Sequence, residues 1–228
     1  MTVPDPAVRA LGERAGLGYW LAGHPLSEPV SGLRKLFAPR RPERVGDQVH
    51  VFGEGLLLPG RTQWLPAPYA VAQFCLDTEP DVHGFFPDRT AGSDRHPVTV
   101  VIGEDDWGEG RVLPAPAARV FREAVRRAYQ AQREPTLDRL RAGQTLDFEG
   151  LAVSTAGLTS YWEDESVAWS RIAGWRLQPQ QGSIEVAADG KDYEFWAGVA
   201  DVANLPLALE AMAVAQQIAR KTDSTDPR

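Results

Sequence analysis

The run Leu140-Arg-Ala-Gly-Gln-Thr-Leu-Asp-Phe-Glu-Gly-Leu-Ala-Val-Ser-Thr-Ala-Gly-Leu158 decides the fold. Thr145 to Phe148 and Leu151 to Ser154 are short extended stretches flanking Glu149-Gly150, and Gly157-Leu158 opens a third that runs through Tyr161 and Trp162. Strands this short and this close leave no room for crossover helices, so the sheet is antiparallel rather than βαβ-wound. Downstream the pattern continues. Glu163-Asp164-Glu165-Ser166 reads as a turn, then come Val167, Trp169, Ile172, Trp175 and Leu177. Ser183 to Val186 and Asp192 to Trp196 follow, joined by an Asp189-Gly190 hairpin turn. Asn204 reads as the cap of a last helix, with Pro206 in its first turn and Arg220 and Lys221 at its C-terminus. Its apolar stripe is Leu205, Leu209, Met212, Ala215 and Ile218 or Ala219; Trp169, Ile172, Leu209 and Met212 are the expected core.

Upstream of the run, Pro116 opens a helix with Ala117, Val120, Phe121, Ala124, Val125 and Ala128 on one face. Arg119, Arg122, Arg126 and Arg133 lie on another face, and Pro135 is expected to end the helix, which places a domain boundary at 132–136. Before it, Val98 to Ile102 is the clearest strand, and Trp107 and Val112-Leu113 suggest one more. Residues 78–97, rich in Asp, Gly, Pro and Arg, read as a long loop. Tyr69 to Leu76 reads as a strand, and Val49 to Leu58 as two strands around Gly53-Glu54-Gly55. Asp5 and Pro6 start a short N-terminal helix with Val8, Leu11 and Ala15 on one side, ended by Gly16.

Each half thus reads as short strands followed by one amphipathic helix. Arg44-Val-Gly-Asp answers Arg141-Ala-Gly-Gln, Gly55-Leu56 answers Gly157-Leu158, and Pro116 answers Pro206. The first half is longer between its anchors by 12 residues, which fit inside the loop at 78–97. The expected fold is α+β: two consecutive PH-like open antiparallel β-barrels or sandwiches, each sealed by a C-terminal amphipathic helix. The expected divisions are a helix at 1–18, a first PH-like domain at 19–133, a second at 137–221 and a disordered tail at 222–228.

The 140–158 run, together with Val167-Ala-Trp-Ser-Arg-Ile172, Gly182-Ser-Ile-Glu-Val186 and Val202-Ala-Asn-Leu205, resembles an uncharacterised bacterial family common in actinobacteria. That resemblance implies tandem PH-like domains and no assigned activity, so it brings no catalytic residues. It covers most of 137–215 and is looser over 44–130, where the Trp-Ser-Arg-Ile element has no counterpart near Tyr69 to Phe74.

The chain has 228 residues, 43% hydrophobic and 24% charged, enough apolar content for a packed core. One cysteine, Cys75, excludes an internal disulfide and a Cys-rich zinc site. The net charge is -7. Residues 1–134 carry 16 Lys+Arg against 17 Asp+Glu and residues 135–228 carry 8 against 14, so the acidic excess lies in the second half. This argues against nucleic acid as a partner. Neither a basic n-region followed by an apolar stretch nor a run long enough to span a bilayer is seen, and the expected location is the cytoplasm.

Of the four histidines, His24, His50, His83 and His96, none sits in an HExxH pattern. His83 and His96 share a loop with Asp81, Asp88 and Asp94, a donor set that a metal could use but that reads first as a solvated loop. Ser93, Asp94 and His96 are too close in sequence for triad geometry, and no GxSxG elbow is present. Glu104 to Glu109 lacks the alternating oxygens of a calcium loop, and Glu163 to Glu165 reads as a solvated turn. Trp162, Trp169, Trp175 and Trp196 read as core and rim filling rather than a stacking platform.

Two basic features remain: Arg34, Lys35, Arg40, Arg41 and Arg44 in one segment, and Arg119, Arg122 and Arg126 on the first long helix. The leading expectation is a non-enzymatic cytoplasmic protein-interaction or scaffold module with no cofactor and an unidentified protein partner. Weak, reversible binding to anionic membrane lipid through those arginines is the alternative. A hydrolase or metal enzyme in the His83–His96 loop is the last.

Overall fold

The computed structural model describes residues 5–26, 45–60, 63–76, 84–85, 99–103, 115–161, 165–178, 183–188, 191–198 and 202–224. Among them the chain is mixed α+β, with three helices and open antiparallel sheets. It divides into two compact units, Met1–Gln73 with Glu79–Ala128 and Phe74–Thr78 with Tyr129–Arg228.

The first unit begins with α1 (Pro6–Arg14). Asp5 starts it because its carboxylate accepts the Ala7 N–H at 2.8 Å, and Pro6 occupies the first turn, where its missing N–H costs nothing. Gly16 ends it at φ +71°, a left-handed value that favours glycine. Then β1 (Trp20–Pro25), β2 (Gln48–Phe52), β3 (Gly55–Pro59) and β4 (Trp64–Pro68) form one antiparallel sheet in sequence order. Every residue of β3 is buried. Period-two alternation sends Leu56 and Leu58 to one face and Leu57 to the other, and α1 covers the Leu57 face. Val8 and Leu17 pack there on Phe52 and Leu57, with Leu11, Ala15, Trp20 and Trp64 at the margin. Burying side chains of this size contributes about 1.5–3 kcal/mol each. The close fit needs Gly12, where a Cβ would fall 2.1 Å from the Phe52 ring.

One sequence expectation fails in this unit. Tyr69 to Leu76 is not one strand: Pro68 O accepts both Val71 N–H (3.1 Å) and Ala72 N–H (2.8 Å), folding a turn before β5 (Gln73–Leu76). The strand that pairs with β3 is instead β4, whose Pro66 and Pro68 are tolerated because β4 is an edge. Trp20–Pro25, to which the sequence reading assigns no element, is β1, which pairs with β2 with a register shift between Trp20 and Ala22. Further on, β6 (Gly84–Phe85) pairs with β7 (Thr99–Gly103).

Helix α2 (Ala115–Arg141) contains the largest departure from expectation, because it runs straight through Pro135. The expected boundary at 132–136 is therefore helical. Pro135 and Ala131, whose carbonyl loses its partner, are both exposed, so water can solvate the gap. Beyond the proline, Leu137 and Leu140 are fully buried in the core of the second unit, and their burial outweighs the local cost. Pro135→Ala is expected to raise the urea midpoint, with a gain of about 1–3 kcal/mol from restoring the ladder.

The second unit continues with β8 (Leu146–Asp147), β9 (Leu151–Val153), β10 (Gly157–Ser160) and β11 (Glu165–Ala168), one antiparallel sheet in sequence order. A separate three-stranded sheet follows, β12 (Ile172–Gln178), β13 (Ser183–Ala188) and β14 (Lys191–Gly198), with β13 central. Helix α3 (Leu205–Ser224) closes the order. The core gathers Leu137, Leu140, Leu158, Val167, Trp169, Ile172, Ile184, Val186 and Met212 with their neighbours.

Candidate functional site

The expected site residues fall into three groups. Arg34, Lys35, Arg40, Arg41 and Arg44 lie outside the described residues, as do His83, Ser93, Asp94 and His96, the acidic run at 104–109 and Trp162 to Asp164; of the stretch 78–97 read as a loop, Gly84–Phe85 is described, as β6. The side chain of Cys75 is likewise outside them, although its backbone belongs to β5.

The α2 arginines of the first unit are described, and they do not act as one stripe. Ala117, Phe121, Ala124, Val125 and Ala128 are buried, so this part of the helix has spent its apolar face. Arg126 forks onto Glu123, Nε to Oε2 at 2.8 Å and Nη2 to Oε1 at 2.5 Å, and Arg127 donates Nε to Glu123 Oε1 at 2.9 Å. The hydrogen bond from Arg126, then that from Arg127, holds the Glu123 carboxyl down to about 2. Arg127 also donates to Gly53 O at 3.3 Å and lies 5.7 Å over the Tyr69 ring. Burial pushes the Tyr69 hydroxyl up to about 12. Arg127 thus ties the β2–β3 turn to the helix, a role its spacing does not announce. Arg119 and Arg122 stay exposed, with no ion-pair partner among the described residues.

Arg133 belongs to the second unit and is also committed. It donates Nε and Nη2 to the two oxygens of Glu210 at 3.0 and 2.5 Å, and Tyr129 donates its hydroxyl to Glu210 Oε2 at 2.7 Å. Arg133 pairs with Glu134 as well. Glu210 titrates below the usual carboxylate range, chiefly because Arg133 bonds its ionised form.

Trp169, Ile172 and Met212 are buried, and the Trp169 indole donates to Ser154 O at 2.8 Å. Leu209 packs against the core only in part. The buried arc of α3 is Leu207, Ala208, Ala211, Met212 and Ala215, turned from the expected stripe through Leu205 and Leu209. Asn204 sets the start of that arc. Its carbonyl accepts from Leu207 and Ala208 as a cap would, and its side chain reaches two other segments as well. Oδ1 accepts Phe74 N–H at 3.1 Å and Nδ2 donates to Gln132 Oε1 at 3.0 Å, while its own N–H goes to Phe74 O at 2.9 Å. The residue holds φ +48°, a conformation asparagine tolerates better than most. Three distant segments of the unit meet at this one buried amide.

Among the described residues, β12 lies at a sheet margin of the second unit. β12 and β11 follow one another in sequence yet lie in different sheets, because the chain turns at Trp169, where Arg171 N–H bonds Ala168 O and Ile172 N–H bonds Trp169 O. β12 is bonded on one side by β13 and forms the margin of its sheet. Along it Ala173, Arg176 and Leu177 are exposed and Trp175 is half-buried. Arg176 donates to Glu185 of β13 at 2.8 Å.

Among the described residues no group of three or more His, Cys, Asp or Glu side chains is placed to hold a metal, and no helix is long and apolar enough to cross a membrane. Comparison with family models, with curated proteins and with solved structures finds no match to this chain.

Proposed function

We propose that the chain is a non-enzymatic cytoplasmic interaction module of two PH-like units, and that a protein partner docks on it by laying an extended segment along β12. The PH-like reading rests on element order. In the second unit a four-stranded antiparallel sheet, a three-stranded antiparallel sheet and a helix follow one another. In the first unit a four-stranded sheet of the same order precedes the β6–β7 ladder and the helical residues 115–128. The paired glycines support duplication. Gly55 of β3 lies opposite Pro68 and Gly157 of β10 lies opposite Ala168, and at both a Cβ would come within 3 Å of the neighbouring strand's backbone.

The observation that carries the docking reading is β12 itself. Among the described residues it is a seven-residue strand at a sheet margin with no proline or lysine; its register shift is confined to its start, between Ile172 and Gly174, and its one charged side chain, Arg176, is bonded to Glu185. Outward N–H and C=O groups on a strand are best satisfied by another extended backbone, and exposed Leu177 offers it an apolar contact. The membrane alternative has less support. With the apolar face of α2 buried in the first unit, Arg119 and Arg122 could contribute only surface charge, about 1 kcal/mol each at an anionic leaflet.

Selection of displayed random dodecapeptides on the purified protein tests this reading. Binders are expected to lose at least tenfold in affinity with Leu177→Lys, at unchanged thermal stability. Equal binding to the variant, or no selectable peptide, overturns it. Low-salt pelleting with phosphatidylglycerol vesicles that is lost in Arg119→Glu/Arg122→Glu would move the function to the membrane.

A further inference from the structure

His50 stands on the face of the first unit's sheet that α1 covers. Residues 48, 50 and 52 project to one side of β2, and His50 lies opposite Leu57 on β3 and Gly23 on β1. Phe52 and Leu57 are the residues on which α1 and Leu17 sit. His50 is 7% exposed, and its Nδ1 is buried with no hydrogen-bond partner among the described residues. Its ring meets that of Trp64 at 5.2 Å, tilted by 59°. Gly23 makes the room: a Cβ there would stand 3.2 Å from Nδ1. The Trp20 indole N–H on the neighbouring strand is also buried without a partner among the described residues.

We propose that His50 makes the seat of α1 on the β1–β4 sheet proton-sensitive: the neutral imidazole keeps the contact closed and the protonated imidazole opens it. A protonated imidazole carries an N–H donor on each nitrogen. At Nδ1 that donor has no bonded acceptor among the described residues, where Gln48 Oε1 lines the same gap over Gly23 without bonding it, and an unpaired buried donor is costly, more so when charged. Burial pulls His50 below the ordinary histidine value, and the nearby Asp47 carboxylate opposes this more weakly. Among the described residues, the other ionisable groups on neighbouring elements are His24 on β1, Glu54 in the β2–β3 turn, and Asp5, Arg9, Glu13 and Arg14 of α1 and its cap; β3 and β4 carry none. Arg9 and Glu13 spend their charges on each other at 2.9 Å, exposed to solvent.

The sign follows from the direction of the shift. The open form takes up its proton at the ordinary value near ~6.5, the closed form only at lower pH. Closure is therefore fully favoured above that value. It weakens as pH falls through it, by at most about tenfold per pH unit, until the closed form is protonated too. Opening would bare Leu57, Phe52 and the rims of Trp20 and Trp64, surface that could then meet a partner.

Hydrogen exchange of the α1 amides in the full chain, corrected for intrinsic rates, tests this between pH 7.5 and 5.0. Opening is expected to increase severalfold to about tenfold per pH unit below ~6.5 in the native protein and in His24→Gln, and to stay flat in His50→Phe. Should His50→Phe fail to fold, an imidazole titration by NMR in the native chain replaces it. The His50 resonance is then expected to titrate together with α1 opening. Exchange that does not change with pH, that changes equally in His50→Phe, or that leaves α1 closed while His50 titrates overturns the proposal.

Discussion

Gly157→Ala is expected to cost more than about 3 kcal/mol, and in a domain of ordinary stability to leave much of the chain unfolded. The added Cβ would lie 2.1 Å from Val167 O and 2.9 Å from Ala168 Cα. Both are backbone atoms of β11, so no side chain can rotate away to make room. The strands must separate, and with them goes the ladder Gly157↔Ala168 to Ser160↔Glu165. The turn at 154–157 has little slack: Ser154 N–H and Oγ both bond Gly157 O, Gly157 N–H bonds Ser154 Oγ, and Trp169 N–H bonds Ala156 O. Trp169 would lose its seat on Ser154 O in the same movement. Urea unfolding followed by tryptophan fluorescence reads the effect. Gly174→Ala on β12 is the control, since a Cβ there meets nothing within 4 Å, and a change under about 0.5 kcal/mol is expected. Equal midpoints for the two variants would show that β10 and β11 do not approach so closely.

Asn204→Leu is expected to destabilise the second unit by about 2–5 kcal/mol, from two separable causes. Removing Oδ1 leaves the buried Phe74 N–H without that acceptor, at about 1–3 kcal/mol. Placing leucine at φ +48° adds about 1–2 kcal/mol of backbone strain. Asn204→Gly keeps the conformation and loses only the hydrogen bonds, so it is expected to fall between leucine and the native residue. Amide exchange at Phe74 should rise in both variants. A glycine variant as unstable as the leucine variant would remove the strain argument; two neutral variants would remove the amide's structural role.

The short-range features were legible because their causes lie within a few residues. Asp5 and Pro6 start α1 through a carboxylate that reaches Ala7, two positions away. The stripe from Ala117 to Ala128 is buried as its 3.6-residue period requires. The glycine of the 154–157 turn and the antiparallel order around it follow from strands too short and too near for crossovers. The same local rules misled wherever a distant group intervened. Pro135 reads as a helix end, yet Leu137 and Leu140 have a core to enter. Tyr69 to Leu76 reads as one strand until Pro68 O captures two N–H groups. Of the site, the sequence marked the arginines but not which were already neutralised: Glu123 beside Arg126 was visible at helical spacing, whereas Arg133 on Glu210 spans 77 positions.

Composition and periodicity alone therefore determined an α+β chain of short antiparallel strands with amphipathic helices, since dihedral preference, capping and hydrophobic period act within one or two turns of chain. Which polar groups are spent on one another was decided by tertiary structure. Asn204 meets Phe74 across 130 positions, His50 is buried between its paired strands and against the Trp64 ring, and β12 is a sheet margin among the described residues because the chain changes sheets at Trp169. A hydrogen bond or a buried ring depends on which surfaces meet in space, and local sequence carries no record of that.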